Sequence, residues 1–367
     1  MDLGAQQHEI GEEVRAGLCR VFDAASFIGG PDVQAFEREF ASFTDVSHCV
    51  GTNNGTDALE LALRASGVTV GGQVILPANS PMATFEAVLR IGALPLPVDV
   101  DSRYLLIDPE AAAAAVTGRT QALLPVHLYG QTAFVERIRP LAERVGAVIV
   151  EDASQSQGSF RHGRMAGSLG LAAGTSFSPH RNLGAAGDAG AVMSNDAGLA
   201  ARVRVLGDSG SHQTCRNGET DKGARMDTVQ AVVLRASLAR LERWNGLRRA
   251  AADRYAELLR PMAVSGMVWL PSEAPGNYHV WHLYTVQVEN RDRVLTDLHE
   301  AGIGAGAPHL VRRTEAHEAL GPGCGFFPVA EAATDRLLSL PIFPHITAEQ
   351  QERVVKVLAR SLMIIGR

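Results

Sequence analysis

Lysine is nearly missing from this 367-residue chain: of its 34 lysine and arginine residues, only Lys222 and Lys356 are lysines. Side-chain amine chemistry, a Schiff base above all, is therefore confined to two positions. No lysine run exists of the kind that grips nucleic acid, the arginines are scattered, and the net charge is −6. A nucleic-acid-binding role is excluded on that balance. Cysteine is just as scarce. Cys19, Cys49, Cys215 and Cys324 lie far apart, with no CxxC and no histidine at metal-ligand spacing. They give neither a disulfide scaffold nor a metal site, and they read as reduced thiols of a cytoplasmic protein. No apolar run reaches the length of a membrane span. The first residues, "MDLGAQQHEIGEEVRAGLCRVF", lack the basic head and apolar stretch of a signal peptide.

What is there is ordinary globular material, 46% apolar and 20% charged, in a chain long enough for two domains. "DVQAFEREFASF" (32–43) has helical apolar spacing, with Asp32 placed as its cap. From His48 onward short apolar runs alternate with helices: "HCVGT", "GGQVILPANS", "LPLPVDV", "TQALLPVHLYG" and "GAVIVEDASQ" are the runs. "TDALELALRASG", opening at Thr56 or Asp57, "PMATFEAVLRIGA" and "FVERIRPLAERVG" are the helices. That alternation predicts an α/β fold with a mostly parallel central sheet flanked by helices, its polar strand ends gathered along one ligand-binding rim. After "AGAVMSND" the pattern turns helical, with a long arginine-rich helix over 227–262 whose basic face reads as solvated or dimer-contacting. "YHVWHLYTVQV" reads as one strand, followed by two more helices. The predicted division is a large domain over 1–240 and a smaller C-terminal α+β domain over 241–367.

Several segments carry possible chemistry. "NNGTDAL" (53–59) leads a turn into a helix, where backbone N–H groups and the Thr56 hydroxyl suit an anion; a plain capped helix start is the alternative. "VIVEDASQ" ends a buried run with Glu151 and Asp152, where a carboxylate can pair with a protonated ring nitrogen and Gln155 can donate to a ring hydroxyl; a cap or a charge pair is the alternative. "SFSPHRNLGAAGDAGA" sets Ser176, His180 and Arg181 in a glycine-rich loop that lets backbone approach a ligand. His127 and His282, each within an apolar run, read more readily as satisfied core residues.

These segments, together with "FIGGPDVQAFEREFASF", "RMDTVQAVVLRASL" and "LSLPIFPHIT", stand in an order that resembles the DegT/DnrJ/StrS sugar aminotransferases, members of the fold type I group of pyridoxal-phosphate (PLP) enzymes. The likeness runs from about residue 20 to residue 360. It implies a homodimer with the cofactor pocket at the subunit interface and a small-molecule substrate. It also implies that Gly55, Thr56 and Ser176 hold the cofactor phosphate, Asp152 the pyridine nitrogen and Gln155 the ring oxygen.

The departures from the family pattern are specific. Arg181 stands where the family has its Schiff-base lysine, and a guanidinium stays protonated and forms no imine. Pro81 replaces an aromatic that stacks on the ring, and Gly223 replaces an asparagine offered to the partner subunit's phosphate. "GAGAPHL" lacks the family's substrate-side tyrosine and brings His309 instead. A dehydratase branch of the family has histidine at the lysine position and holds the pyridoxamine form (PMP) non-covalently.

On these grounds the sequence predicts a natural-product enzyme that has given up transamination. Arg181 would supply a fixed positive charge for a carboxylate, phosphate or developing oxyanion, and His180 or His309 would do acid–base work of the elimination, dehydration or cyclisation type. Such an enzyme would be cofactor-free or hold PLP or PMP without a covalent bond. The alternative is a catalytically silent partner of an active homologue. A third route would bring Lys222 into a neighbouring subunit's site.

Overall fold

A computed structural model gives the structure, and it describes residues 3–208, 223–308 and 326–365. Along the chain the elements are α1 (Leu3–Asp23), α2 (Gly30–Phe43), β1 (His48–Thr52), α3 (Gly55–Ala65), β2 (Gln73–Pro77), α4 (Met82–Arg90), β3 (Leu94–Val98) and α5 (Pro109–Ala115). Then follow β4 (Thr120–Leu123), α6 (Val135–Val145), β5 (Val148–Asp152), the short β6 (Phe160–Arg161) and β7 (Arg164–Met165), β8 (Ala172–Ser176), β9 (Gly190–Ser194) and α7 (Ala197–Gly207). The remainder is α8 (Thr228–Val264), β10 (Asn277–Tyr278), β11 (Tyr284–Gln287), α9 (Arg291–Glu300), α10 (Pro328–Arg336), β12 (Leu337–Leu340) and α11 (Ala348–Ile365).

Seven strands form the central sheet in the order β1-β9-β8-β5-β4-β2-β3. Only β9 runs against its neighbours, so the sheet is mostly parallel, as the strand–helix alternation requires. Alternate side chains of each strand serve opposite cores. Val74 and Leu76 of β2 join one cluster with α3, α4 and α7, while Ile75 joins another with α5 and α6. Val150 and Ile149 of β5 divide the same way. Burial on both faces is why these runs read as continuously apolar instead of alternating.

The smaller C-terminal part packs the second half of α8, α9 and α11 around the antiparallel pair β11–β12. α8 runs unbroken through residue 240, so both parts share one helix. Several of its arginines form ion pairs across the fold. Arg235 pairs with Asp32 and Glu39, Arg240 with Glu13, Arg243 with Glu9 and Arg254 with Glu352. Asp32 therefore serves as an ion-pair partner in the first turn of α2, and the cap position belongs to Gly29. Among the described residues no helix is long and apolar enough to cross a membrane.

One strand expected from the sequence is divided. Between β10 and β11, Trp281 takes a left-handed backbone (φ 49°), and the segment turns to meet the loop after β4: Val280 N–H donates to Gly130 O (2.8 Å) and Leu283 N–H to Tyr129 O (3.1 Å). Gly130 is obligatory there, since a Cβ would lie 2.6 Å from His282 N. The consequence is that His282 leaves the sheet and faces the site.

The loop after β8 is anchored by Phe177, which is buried edge-on against Phe36 (5.3 Å) and Phe40 (5.1 Å). Truncating a fully buried phenylalanine costs about 3–5 kcal/mol. Phe177→Ala is therefore expected to lower unfolding free energy in urea by that amount; a loss under ~1 kcal/mol would contradict the anchoring.

Candidate active site

The loop that carries His180 and Arg181 is a closed turn. Phe177 N–H donates to Ala189 O (2.7 Å), Ala185 N–H to Phe177 O (2.7 Å) and Arg181 N–H to Ser178 O (2.9 Å). Gly184 lets the strands of this turn approach, for a Cβ would sit 2.7 Å from Pro179 O. The turn projects Arg181 into a cavity of about 510 Å³ whose wall also holds Asn79, Pro81, Tyr129, Gln155, His180 and His282. Of the residues singled out in the sequence, Gln155, His180 and Arg181 thus share one wall.

Gly55, Thr56 and Ser176 form a neighbouring cluster. α3 begins directly against the end of β8, so closely that a Cβ on Gly55 would fall 2.4 Å from Ser176 Cβ. Asn54 caps the helix by accepting from Asp57 N–H (2.8 Å). The first N–H groups of a helix have no intrahelical partner, and with the helix dipole they favour an anion. Here they lie beside the Ser176 hydroxyl.

Asp152 closes β5 and is buried. Thr84 Oγ1 of α4 donates to its Oδ2 (2.7 Å) and Ser154 N–H to its Oδ1 (3.0 Å). Its neighbour Glu151 has a purely structural part. That carboxylate accepts N–H groups of Gly167, Leu169 and Gly170 and receives the Nε2–H of His127 (2.6 Å), whose Nδ1 accepts from Ala133 N–H (3.0 Å). His127 is thus the satisfied core residue its apolar run suggested.

His282 is not. Its Nε2 lies 3.2 Å from Arg181 Nη1 and its Nδ1 3.2 Å from Asn182 Oδ1. Burial pushes it well below its ordinary value, and the charges of Arg181 and Arg248 add to the effect. Burial also draws the Arg181 guanidinium down, opposed by Asp152. Sequence reading missed His282, Tyr129 and Asn79, because each sits in an apolar run or a turn. The one usable signal was glycine next to Tyr129, in "LYGQ", where the chain must reverse. Lys222 and His309 lie outside the described residues, and Lys356 belongs to α11. Among the described residues no group of three histidine, cysteine or acidic side chains could hold a metal ion.

The pyridoxal-type cofactor implied by the resemblance can be tested against these groups. The cradle that a Cβ at Gly55 would fill suits a phosphate, and Asp152 suits a protonated ring nitrogen. Asn79 Oδ1 and the Tyr129 hydroxyl, on residues of the cavity wall, are buried with no hydrogen-bond partner among the described residues. Phosphate and ring nitrogen therefore fit; the Arg181 guanidinium does not supply an imine.

Comparison with known proteins bears on the whole chain. The model of the DegT/DnrJ/EryC1/StrS aminotransferase family matches residues 8–359. A dTDP-3-amino-3,4,6-trideoxy-α-D-glucose transaminase of Streptomyces venezuelae is 41% identical over 97% of this chain and 93% of its own length. A UDP-N-acetyl-3-dehydro-α-D-glucosamine 3-aminotransferase of Acidithiobacillus ferrooxidans is 41% identical over 99% of this chain and 97% of its own. Among solved structures, S. venezuelae DesV in complex with a ketimine intermediate superposes with a TM-score of 0.91 at 40% identity, covering 98% of this chain and 97% of that one. NtdA of Bacillus subtilis with bound PMP superposes at 0.87 and 30% identity, over 96% and 82%.

These findings correct two expectations. Full-length relatives at about 40% identity are named sugar transaminases, which overturns the reading of a non-transaminating lyase- or cyclase-type enzyme and, with it, that of a silent partner. Solved relatives hold PMP or a cofactor-derived intermediate, which overturns cofactor-free, PLP-independent action.

The two buried histidines of this region predict an acid sensitivity. Burial and Arg249 bring His279 down to about 3, and burial with Arg181 depresses His282 well below 6.5. The unfolded chain takes protons near 6.5 that the folded one refuses. Stability is then intact above that value and falls below it, by about 1.4 kcal/mol per pH unit for each residue. Denaturant titrations between about pH 7 and about pH 5 should show a shallower fall for His282→Gln than for the parent; equal slopes would contradict the depressed value.

Proposed function

Because the chain belongs to the DegT/DnrJ/EryC1/StrS aminotransferase family, we propose that it transfers an amino group to the keto group of a nucleotide-linked sugar with a pyridoxal-type cofactor. The observation that carries this reading is the Gly55–Ser176 contact beside the buried Asp152, a cradle kept free of side chains at the start of α3. The dTDP- and UDP-sugar transaminases named above support the substrate class.

When bound, such a cofactor supplies the electron sink for moving the amino group. The chain's own residues have separate parts in the proposal. Backbone N–H groups of Gly55 and Thr56 and the Ser176 hydroxyl bind the phosphate. Asp152, fixed by Thr84 and Ser154, holds a proton at the ring nitrogen. Gln155, its Oε1 tied to Tyr129 N–H (2.9 Å), orients the ring through its amide. Arg181 stays charged and contributes a fixed field. His180, exposed on the cavity wall, holds and returns the migrating proton on its imidazole, the side-chain type suited to that task near neutral pH.

A cytoplasmic homodimer and a division of the chain into residues 1–240 and 241–367 belong to the same proposal. Exposed Phe22, Phe27 and Ile28 lie together where α1 gives way to α2, the two rings edge to face at 5.5 Å. A second copy would bury that apolar corner.

The test follows binding and turnover separately. PLP and PMP titrated into the purified protein should each change its absorbance spectrum, and Gly55→Ala should weaken that binding roughly tenfold, about 1.4 kcal/mol. With PMP supplied and a dTDP- or UDP-linked keto sugar as acceptor, amino sugar should accumulate, and His180→Ala should lower kcat about 100-fold. No spectral change with either cofactor form, or unaltered turnover in His180→Ala, would overturn the respective assignment.

A further inference from the structure

We propose that Arg181 is the receptor for a carboxylate group of the substrate, its guanidinium oriented by His282 so that one edge of the fork is left open to the cavity. The proposal rests on the reading of this cavity as the substrate site and assigns a chemistry to the residue that most sets this chain apart.

Several arginines withdrawn from solvent meet carboxylates, Arg161 with Glu136, Arg249 with Glu273 and Arg64 with Glu60, whereas Arg139 and the fully buried Arg248 donate to backbone carbonyls. Arg181 has no carboxylate within 4.0 Å among the described residues, and its one side-chain hydrogen bond goes to a histidine nitrogen. Asp152 acts on it through space, but the hydrogen bonds of that carboxylate go to Thr84 and Ser154. Behind His282 stands a second guanidinium, the fully buried Arg248, whose Nη1 donates to two backbone carbonyls, those of Trp281 and Ile342. This side of the cavity therefore carries positive charge that no anion among the described residues neutralises by direct contact, which favours an anionic ligand.

Geometry narrows the ligand. A guanidinium can only donate, so His282 Nε2 is the acceptor from Arg181 Nη1, and the ring proton sits on Nδ1 and is donated to Asn182 Oδ1. Asn182 Nδ2 donates in turn to Asn245 Oδ1 (2.8 Å) and Val280 O (2.9 Å), and Asn245 Nδ2 to Gln157 O (2.9 Å). This chain of oriented groups reaches α8 and fixes Arg181 through Nη1 alone. Nη2 and Nε make no hydrogen bond among the described residues, and they form one planar edge with two parallel N–H donors. Such an edge matches the two oxygens of a carboxylate. A phosphate already has a different kind of site, the helix start at Gly55.

Two sources can present that carboxylate: an acidic amino donor or a sugar acid. Calorimetric titration of the PMP-loaded protein with glutarate, with D-glucuronate, with inorganic phosphate and with neutral D-glucose separates them. At least one carboxylate is expected to bind at least tenfold tighter than D-glucose, and Arg181→Met to abolish that margin. His282→Gln, whose carbonyl can accept from Arg181 and whose amide can donate to Asn182, should keep the binding. His282→Leu should weaken it, a rescue pattern that a merely space-filling histidine would not produce. Carboxylates binding no better than D-glucose, phosphate outcompeting both, or full binding by Arg181→Met would overturn the proposal. Equal loss in His282→Gln and His282→Leu would overturn the positioning role. If PMP fails to bind while carboxylate binding to the unloaded protein still depends on Arg181, the aminotransferase reading fails and this one stands.

Discussion

A guanidinium held inside a cavity with no carboxylate among the described residues at its side is the constraint around which the site is arranged. Desolvating a cation is costly unless other groups compensate, and here the compensation comes from Asp152 through space and from oriented neutral groups. His282 accepts from Arg181, Asn182 accepts from His282, and Asn182 is itself fixed by Asn245 and the Val280 carbonyl. These residues come from three stretches of chain, the loop after β8, the segment between β10 and β11, and α8, so the central sheet and the C-terminal part meet in this relay. Phe177 beneath the loop and Gly130 behind His282 hold its two ends in place.

The same relay explains what could and could not be read from the sequence. The strand and helix order was legible because each strand of a parallel sheet is apolar on both faces and each helix is apolar on one. Gly55, Thr56, Asp152, Gln155 and Ser176 were legible as candidates because they stand at the junctions where strands end. His282 was hidden because its run, "YHVWHLY", is apolar enough for a strand. What divides it is tertiary: the left-handed Trp281 and two backbone hydrogen bonds to a loop some 150 residues earlier in the chain. Asp32 looked like a cap until Arg235, distant in sequence, claimed its carboxylate. The arginine face of α8 looked solvated because its acidic partners on α1, α2 and α11 are invisible to local periodicity.

Replacement of an amine by a guanidinium is decisive about one bond, since no imine can form there. It is not decisive about the activity of the chain, for the proposed site also draws on the Gly55–Ser176 cradle, Asp152 and the cavity. The likeness to named sugar transaminases extends over nearly the whole chain. In the proposed site the cradle and Asp152 are the part that the family resemblance leads one to expect, and Arg181 is the departure from it.

A crystal structure of the protein grown with PMP tests that account most directly. The account predicts phosphate density against the Gly55–Thr56 backbone and the Ser176 hydroxyl, with the ring nitrogen facing Asp152 and Arg181 still hydrogen-bonded to His282. A cradle filled by side chains with no phosphate in it, or a cofactor ring lying away from Asp152, would contradict it.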